Sequence, residues 1–216
     1  MNKVVGSSAI KAKITDNQVI MFGGFLECGV PNQLIDILLE EEVKGITLIG
    51  NDTGFTDRKL GSLIVNKRVK KVIASHIGTN RETGRQMNQG EIEVELVPQG
   101  TLVERIRSYG AGLGGFYTPT GIGTVVEDGK EKKVIDGKEY ILELPLGADL
   151  ALLKAWKADQ AGNLVYRYSA QNFNPIMAMA AELVIVEAEE IVPVGTLNPN
   201  EVITPGIFVD YILNTA

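Results

Sequence analysis

Residues 16–31 read Asp-Asn-Gln-Val-Ile-Met-Phe-Gly-Gly-Phe-Leu-Glu-Cys-Gly-Val-Pro, and this stretch decides the fold. Its apolar run, residues 19–22, is bounded by a glycine pair, a pattern typical of a strand buried on both faces in a parallel sheet. Gly23, Gly24 and Gly29 favour a tight turn in which the backbone can approach a ligand without a Cβ in the way. The stretch therefore predicts a buried strand followed by a glycine turn.

A helix is predicted to follow the turn. Pro31 suits the first turn of a helix, and apolar residues then recur at helical spacing at positions 34, 35, 38 and 39. A strand, a glycine turn and a helix N-terminus aim free N–H groups at one point, so an anion or a polarised carbonyl could bind there. The glycines alone leave open a plain connection that binds nothing, since neither Gly-x-Gly-x-x-Gly nor Gly-Lys-Ser/Thr occurs in this stretch.

The next segment completes a β-α-β unit. Gly45 marks the stop of a helix that ends near Glu42, and residues 46–49 form a second apolar strand. Asn51 lies in the polar loop, residues 50–54, that leaves the carboxyl end of this strand. In open α/β sheets, ligands bind at that edge.

The remaining chain continues the α/β pattern. Helices are predicted at residues 60–65, 101–109 and 175–181, the second beginning with a capping box formed by Thr101 and Glu104. Residues 81–90 are predicted to be exposed loop. Strands are predicted at residues 72–75, 91–97, 140–144, 150–156, 164–168 and 183–186, the last of these being the final buried strand.

Turn residues predict a hairpin-rich insertion. Asp128-Gly129 and Asp136-Gly137 indicate two hairpin connections, and the glycine-rich residues 110–123 indicate irregular structure. The residues after Pro193 are predicted to form an extended tail. We therefore predict one α/β domain, residues 1–216, with a mostly parallel open sheet flanked by helices plus a β-hairpin-rich insertion.

The composition of the chain argues against several classes of binding partner, metal site and membrane segment. The chain carries 21 basic and 27 acidic residues, a net charge of −6, which argues against a nucleic-acid or anionic-membrane partner. Cys28 is the only cysteine and His76 the only histidine, which excludes an internal disulfide and a cysteine or multi-histidine metal site. The first residues lack the apolar core of a signal peptide, and residues 108–126 contain six glycines, which make a poor membrane helix. We expect a cytoplasmic protein.

The full string of residues 16–31 resembles the signature of the family I coenzyme A transferases, in their alpha (A) subunit. Five further segments resemble the same subunit, so the resemblance covers most of the chain. They are Val-Pro-Gln-Gly-Thr-Leu at 97–102, Phe-Tyr-Thr-Pro-Thr-Gly at 116–121, Lys-Ala-Trp-Lys-Ala-Asp at 154–159, Ala-Gly-Asn at 161–163 and Ser-Ala-Gln-Asn-Phe-Asn at 169–174. The resemblance implies the α/β superfold that this family shares with ribose-5-phosphate isomerases.

The resemblance also implies a reaction, the transfer of coenzyme A from an acyl-CoA to a free short-chain carboxylate of the acetate, acetoacetate or butyrate type. In the family a glutamate in a Ser-Glu-Asn-Gly motif on the beta subunit becomes a glutamyl-CoA thioester. That motif is absent from this sequence. The resemblance therefore implies that no catalytic residue lies on this chain, that a beta subunit is its partner (two alpha plus two beta chains), and that coenzyme A is a substrate and no cofactor is permanently bound.

The resemblance places coenzyme A contacts on one run of seven residues and substrate contacts on two amides. The run comprises Gly23, Gly24, Phe25, Leu26, Glu27, Cys28 and Gly29. Asn51 and Gln99 match a family asparagine and glutamine near the reacting carboxylate, and an amide can hydrogen-bond an acyl oxygen without adding a titrating charge. The alternative for both residues is that they cap loops.

The sequence gives only expectations or alternatives for the roles of several further side chains. Glu27 is expected to be an exposed turn residue and not a nucleophile, and Cys28 a small packed side chain. His76 follows a strand and is either structural or catalytic. The basic cluster of residues 67–71 is either a solvated face or a phosphate-facing patch. Two other functions also remain open: a stand-alone sugar-phosphate isomerase-like enzyme, and a non-catalytic ligand-binding protein of the same fold.

Overall fold

The computed structural model describes residues 2–214. The predicted domain, residues 1–216, also includes Met1, Thr215 and Ala216, which lie outside the described residues. The strands are, in chain order, β1 (Val4–Val5), β2 (Val19–Phe22), β3 (Ile46–Gly50), β4 (Val69–Ala74), β5 (Glu93–Leu96), β6 (Phe116–Thr118), β7 (Lys132–Ile135), β8 (Lys138–Glu143), β9 (Ala148–Asp159), β10 (Leu164–Val165), β11 (Ala181–Val192) and β12 (Tyr211–Leu213). The helices are α1 (Ser7–Lys11), α2 (Asn32–Glu40), α3 (Lys59–Val65), α4 (Arg81–Asn88), α5 (Gln99–Gly110) and α6 (Asn174–Met177).

The main sheet has the strand order β1-β12-β11-β9-β2-β3-β4-β5. Each neighbouring pair along this order is parallel, and β10 adds to β9 in the antiparallel sense. The predicted mostly parallel open sheet is therefore confirmed. Among residues 2–214, no helix has the length and apolar character needed to cross a membrane.

Both faces of the sheet are buried, which explains why β2 and β3 read as continuous apolar runs. Side chains alternate along β2, so Ile20 and Phe22 join one core while Met21 joins the other. The first core is covered by α1, α2 and α3, and the second by α5 and α6. Leu34 and Leu38 of α2 are fully buried in the first core, as the helical spacing predicts.

Strand β2 lies at the point where the strand order reverses. From β2 the chain proceeds through β3, β4 and β5 on one side, and β9, β11 and β12 lie on the other. Phe22, at the end of β2, pairs with Leu152, and β9 then continues to Asp159. In open α/β sheets this switch point is where a crevice opens beyond the carboxyl ends of the strands. The glycine turn leaves β2 at that place.

The predicted hairpin insertion is present as a three-stranded antiparallel sheet, β6-β8-β7. Asp136 and Gly137 connect β7 to β8 with positive φ angles of 48° and 77°, the backbone that a type I′ hairpin turn requires. The second predicted hairpin is wrong. Asp128-Gly129 follows a 3₁₀ helix, Val125–Glu127, and therefore joins that helix to β7. Residues 110–123, predicted to be irregular, contribute β6.

Most of the predicted exposed loop, residues 81–90, is helical, because α4 spans Arg81–Asn88. Asn80 caps this helix by accepting a hydrogen bond from the N–H of Glu82 at 3.1 Å. The residues that α4 buries are polar, Thr83 and Gln86, and Gln86 donates a hydrogen bond to the carbonyl of Ile64 at 2.8 Å. A helix whose buried face is polar gives no apolar periodicity, so the pattern that reveals helices failed here.

The predicted capping box at Thr101 is also wrong. Helix α5 begins at Gln99, two residues earlier, and Pro98 precedes it without a side-chain cap. Thr101 is buried within the first turn, and Glu104 pairs with Arg107 at 3.1 Å instead of reaching back to the backbone. The Val97-Pro98 bend supplies the start of the helix, because proline fixes φ at a value suited to helix entry.

The carboxyl-terminal third differs from the prediction in two respects. Strand β11 is not the last strand, because β12 inserts in parallel between β1 and β11. The predicted extended tail therefore ends in regular structure. Strand β10 covers only the first two residues of the predicted strand 164–168. Helix α6 begins one residue before the predicted helix 175–181 and ends at Met177.

The amino end of α2 is capped from within the protein by Glu187 of β11. One carboxylate oxygen accepts hydrogen bonds from the backbone N–H groups of Gln33 at 2.6 Å and Leu34 at 3.2 Å. The other oxygen lies 3.2 Å from Nζ of Lys154. Burial raises the pKa of Glu187, whereas Lys154 and the two N–H groups oppose that rise. The anion that the helix N-terminus attracts is thus a carboxylate of this chain.

Glu187→Ala should lower the free energy of unfolding by about 3 kcal/mol, because it leaves two N–H groups and a partly buried ammonium without their acceptor. Glu187→Gln keeps an acceptor oxygen and should lose less. Urea unfolding followed by circular dichroism measures both changes.

Glu189→Ala is the matched control for that experiment. Glu189 lies two residues along the same strand, is half exposed and approaches Lys154 only to 3.8 Å, so its loss should cost less than about 1 kcal/mol. Equal losses from Glu187→Ala and Glu189→Ala would contradict the capping role.

Candidate active site at the carboxyl edge of the sheet

The glycine turn closes on itself at its tip. Phe25 and Cys28 exchange two backbone hydrogen bonds of 3.0 Å each, which leaves Leu26 and Glu27 at the turn. Leu26 has a φ of +51°, a left-handed backbone that is uncommon for a residue other than glycine. The ring of Phe25 is 42% exposed. The surface that the turn offers is therefore made by residues 25–28.

The glycines of the turn make room for Asn174. A Cβ at Gly23 would overlap Oδ1 of Asn174, and a Cβ at Gly29 would lie 2.8 Å from its Nδ2. At Gly24 a Cβ would lie 2.7 Å from Cγ2 of Val30. The space expected from sequence to admit a ligand is filled by the chain's own side chains. These glycines permit close packing of the turn onto the protein.

Asn174 is fully buried and holds three backbone segments together. Its Oδ1 accepts a hydrogen bond from the N–H of Lys154 at 2.9 Å, and its Nδ2 donates to the carbonyls of Gly29 and Ala170, both at 3.0 Å. The side chain therefore ties the turn to β9 and to the 3₁₀ helix Tyr168–Gln171.

Asp52 holds the tip of the turn from the neighbouring strand. It is only 2% exposed, and its carboxylate accepts hydrogen bonds of 2.8 Å from the N–H of Leu26, the N–H of Gly54 and Nδ2 of Asn51. Sequence reasoning passed over Asp52 as a loop residue. The signal that could have found it is its position, directly after Asn51 at the end of a buried strand.

Asn51 and Gln99 meet directly. Nε2 of Gln99 donates to Oδ1 of Asn51 at 2.6 Å, and Oγ of Ser75 approaches the same oxygen at 3.0 Å. Asn51 is 3% exposed, whereas Gln99 is exposed. Asn51 thus lies beneath Gln99 and orients it, while Gln99 presents its remaining amide atoms to solvent. Hydrogen bonds join the carboxyl ends of β3, β4 and β5, and Ser75 is a member that sequence reasoning missed.

Gln99 stands between two cavities. One, of about 490 Å³, is lined by apolar side chains such as Phe25 and Phe208 and by polar side chains that include Arg107. The other, of about 400 Å³, is lined by Glu104, Phe116, Thr118 and Thr120 among others. A carbonyl group bound at Gln99 would have room on either side for its two substituents.

Glu27 and Glu104 are exposed carboxylates in this region. Glu27 is at the tip of the turn, and burial raises the pKa of its carboxyl, with Asp52 and Asp57 adding to the rise and Arg58 opposing it. Glu104 pairs with Arg107. The exposed turn position expected for Glu27 is confirmed.

Cys28 is exposed, and the expectation of a packed side chain is wrong. Because Asn174 fills the inner side of the turn, the side chain at position 28 is directed outward, where its Sγ lies 3.6 Å from Oγ of Ser169. His76 is also exposed, and its ring packs over Gly78. Among residues 2–214, no cluster of three histidine, cysteine or carboxylate side chains is arranged to hold a metal ion.

The basic cluster of residues 67–71 lies at the beginning of β4, at the edge of the sheet opposite the candidate site. Its four cations have partners within the chain, which favours the solvated-face interpretation over a phosphate-facing patch. The pairs are Lys67 with Glu91, Arg68 with the carbonyl of Glu42, Lys70 with Asn17, and Lys71 with Glu93.

Comparison with known proteins agrees with the resemblance seen in the sequence. The family described as Coenzyme A transferase matches residues 7–215. The acetate CoA-transferase subunit alpha of Escherichia coli is 57% identical over 198 residues, which are 92% of this chain and 90% of that protein. The acetoacetyl-CoA:acetate/butyrate CoA transferase alpha subunit of Clostridium acetobutylicum is 50% identical over 212 residues, 98% of this chain and 97% of that protein.

Solved structures share the fold. The apoenzyme of an acyl-CoA transferase from Escherichia coli superposes with a TM-score of 0.88 at 21% identity, over 98% of this chain and 46% of that longer chain. Glutaconate coenzyme A-transferase from Acidaminococcus fermentans gives a TM-score of 0.84 at 20% identity, over 98% of this chain and 75% of that one. These solved coenzyme A transferases therefore share the predicted α/β fold with this chain. Since the family match and the relatives both cover nearly the whole sequence, this chain belongs to the coenzyme A transferase family.

Proposed function

We propose that this chain is the α subunit of a short-chain acyl-CoA:carboxylate CoA-transferase of the acetate, acetoacetate or butyrate type. A β subunit, in an assembly of two α and two β chains, completes its active site. The names of the similar α subunits support the substrate class. Family membership favours this function over an isomerase or a non-catalytic binding protein. Because coenzyme A thioesters are intracellular metabolites, we expect the reaction to take place in the cytoplasm.

The main support for the proposal is an exposed glutamine that is hydrogen-bonded to a buried asparagine beside the glycine turn. Gln99 is fixed by the 2.6 Å bond to Asn51, and Asp52 fixes both Asn51 and the tip of the turn. A donor that is already oriented stabilises a developing oxyanion without reorganising during the reaction. In this proposal Gln99 contacts the acyl oxygen and Asn51 acts through Gln99.

In the proposed reaction, the carboxylate of one β-subunit glutamate first accepts the acyl group and then accepts coenzyme A. A glutamate of the β subunit attacks the thioester carbonyl, and the thiolate of coenzyme A leaves with formation of a mixed anhydride. The thiolate then attacks the glutamyl carbonyl, which releases the first acid and forms a glutamyl-CoA thioester. The same steps in reverse, with a second acid, return the glutamate and yield the new acyl-CoA.

This chain's proposed part is to hold the thioester while the partner attacks it. Gly23, Gly24 and Gly29 set the shape of the turn, and Phe25, Leu26, Glu27 and Cys28 form the surface that contacts coenzyme A. Neutral amides suit the reacting end, because a fixed cation there would bind the ground-state carboxylate as well as the transition state and give no gain in kcat.

Gln99→Ala in the assembled enzyme should lower kcat/KM for acetyl-CoA with butyrate by about 100-fold, the usual effect of removing one oxyanion donor. The free energy of unfolding should stay almost unchanged, because the side chain is exposed. Gln89→Ala, an exposed glutamine at the end of α4, is the control. A kcat/KM equal to that of the control would contradict the role of Gln99.

The isolated chain should not transfer coenzyme A between acetyl-CoA and butyrate or acetoacetate, and activity should arise when a co-purified β subunit is added. The exchange of acyl groups is followed by liquid chromatography of the thioesters. Robust transfer by the isolated chain would contradict the subunit assignment, and no transfer by either preparation would contradict the transferase function.

Glu27→Gln should retain activity in the assembled enzyme, because the nucleophile is expected on the β subunit and Glu27 forms only part of the turn surface. Glu104→Gln provides the comparison at the other exposed carboxylate near Gln99. Loss of all activity in either variant, with normal assembly by size-exclusion chromatography, would place the nucleophile on this chain.

A further inference from the structure

A further pocket opens on the far side of the glycine turn. It has a volume of about 300 Å³ and lies between β9 and the 3₁₀ helix Tyr168–Gln171. Two aromatic rings, Trp156 and Tyr168, and two cations, Lys154 and Arg167, line it. Rings and cations together are the side chains that bind a phosphorylated heterocycle, by stacking and by charge-assisted hydrogen bonds.

Arg167 is the cation of this pocket that is available to an anion. Its guanidinium lies 5.4 Å from the ring centre of Trp156 and 4.9 Å from that of Tyr168, which restricts its orientation. Within residues 2–214 no carboxylate oxygen comes within 4.0 Å of it. Lys154 instead pairs with Glu187, and Lys157, which also stacks on Trp156, pairs with Glu190 at 2.7 Å. A planar guanidinium that is held by two rings and has no carboxylate partner can bind a phosphate through two parallel hydrogen bonds.

The pocket is continuous with the candidate active site. It shares Cys28 and Ser169 with a middle cavity of about 540 Å³, whose other lining includes Leu26 and Phe55. The middle cavity shares Phe25 and Asn172 with the cavity beside Gln99. One groove therefore runs along the outer surface of the turn, from the amide of Gln99, past an apolar middle section, to Arg167.

The order of surroundings along the groove, a polar amide, an apolar section and then a cation with aromatic rings, matches the order of chemical groups along coenzyme A. The molecule carries its thiol at one end, a flexible phosphopantetheine arm with two methyl groups in the middle, and adenosine 3′,5′-bisphosphate at the other end. We propose that Arg167 and Trp156 form the subsite for this nucleotide end, with Arg167 on a phosphate and the aromatic side chains beside the adenine. The assignment rests on the proposed function for the site at Gln99, and it extends that site to a part of the molecule far from the reacting bond.

Glu189 is the acidic residue in the described lining of the pocket, and its charge would repel a phosphate. It is half exposed and lies 3.8 Å from Lys154, which partly compensates its charge. The proposal therefore predicts opposite effects of two substitutions in one pocket: Arg167→Ala should weaken nucleotide binding, and Glu189→Gln should strengthen it.

Direct binding can be measured on the full chain, because Trp156 is its only tryptophan and lies in the pocket. Titration with adenosine 3′,5′-bisphosphate should change the fluorescence of Trp156 in a saturable way. Calorimetry on the same samples measures affinity independently of the fluorophore. Arg167→Ala should weaken the affinity about 10- to 100-fold, the usual effect of losing a hydrogen bond between charged groups.

Lys13→Ala is the matched control for loss of a cation over an aromatic ring. Lys13 stacks on Tyr211 at 5.6 Å, at the opposite edge of the sheet, and its loss should leave the affinity unchanged. Two results would overturn the assignment: no saturable binding of the bisphosphate by either method, or equal affinity in Arg167→Ala and the unsubstituted chain.

Steady-state kinetics of the assembled enzyme separate this inference from the proposed function. Arg167→Ala should raise KM for acetyl-CoA about 10-fold or more and leave KM for S-acetylpantetheine, which lacks the nucleotide, unchanged. Equal shifts for both donors, or none for either, would overturn the nucleotide subsite while the transferase function stood. If no donor supports transfer, the proposed function fails, and the binding titration still decides whether the pocket takes the nucleotide.

Discussion

The buried amide of Asn174 is the interaction on which the ligand-binding edge depends. It joins the N–H of Lys154 on β9 to the carbonyls of Gly29 and Ala170, so three segments distant in sequence share one side chain. Each backbone group left unpaired by its removal would cost about 1–3 kcal/mol, since no water reaches this fully buried position. The amide also dictates the sequence of the turn, because it occupies the place where a Cβ of residue 23 or 29 would lie.

A second set of hydrogen bonds fixes the outer side of the same turn. Asp52 holds Leu26 in its left-handed conformation and, through Asn51, determines where Gln99 stands. The turn after β2 and the polar residues after β3 and β5 thus behave as one hydrogen-bonded unit. Such a unit keeps its donors in place when charge develops on a bound carbonyl, which is the condition for electrostatic catalysis.

The sequence allowed much of the fold to be predicted, because burial on both faces leaves local apolar runs such as β2 and local spacing such as that of α2. It did not reveal α4, whose buried residues Thr83 and Gln86 are polar, or the outward direction of Cys28, which depends on the distant Asn174. Gln99 was identified by family resemblance, since nothing in its local pattern places it on the buried amide of the strand two positions away in the sheet. Contacts between strand ends depend on topology, and topology is only weakly encoded in any single segment.

Glu187 caps the N-terminus of α2, and this separates the binding of anions from the stabilisation of charge at the reacting carbonyl. An uncapped helix N-terminus would have contributed to both. A free helix N-terminus at the turn would attract any carboxylate, including the acid substrates, equally before and during the reaction. Because Glu187 neutralises that positive end, the helix adds no free positive charge near the exposed amide of Gln99, the proposed donor. Under the proposed function, Arg167 at the far end of the groove binds the anionic nucleotide end, whereas Arg107 beside Gln99 is paired with Glu104. Binding energy collected at Arg167, remote from the reacting carbonyl, can hold the thioester in place for a partner's nucleophile without stabilising the free acid.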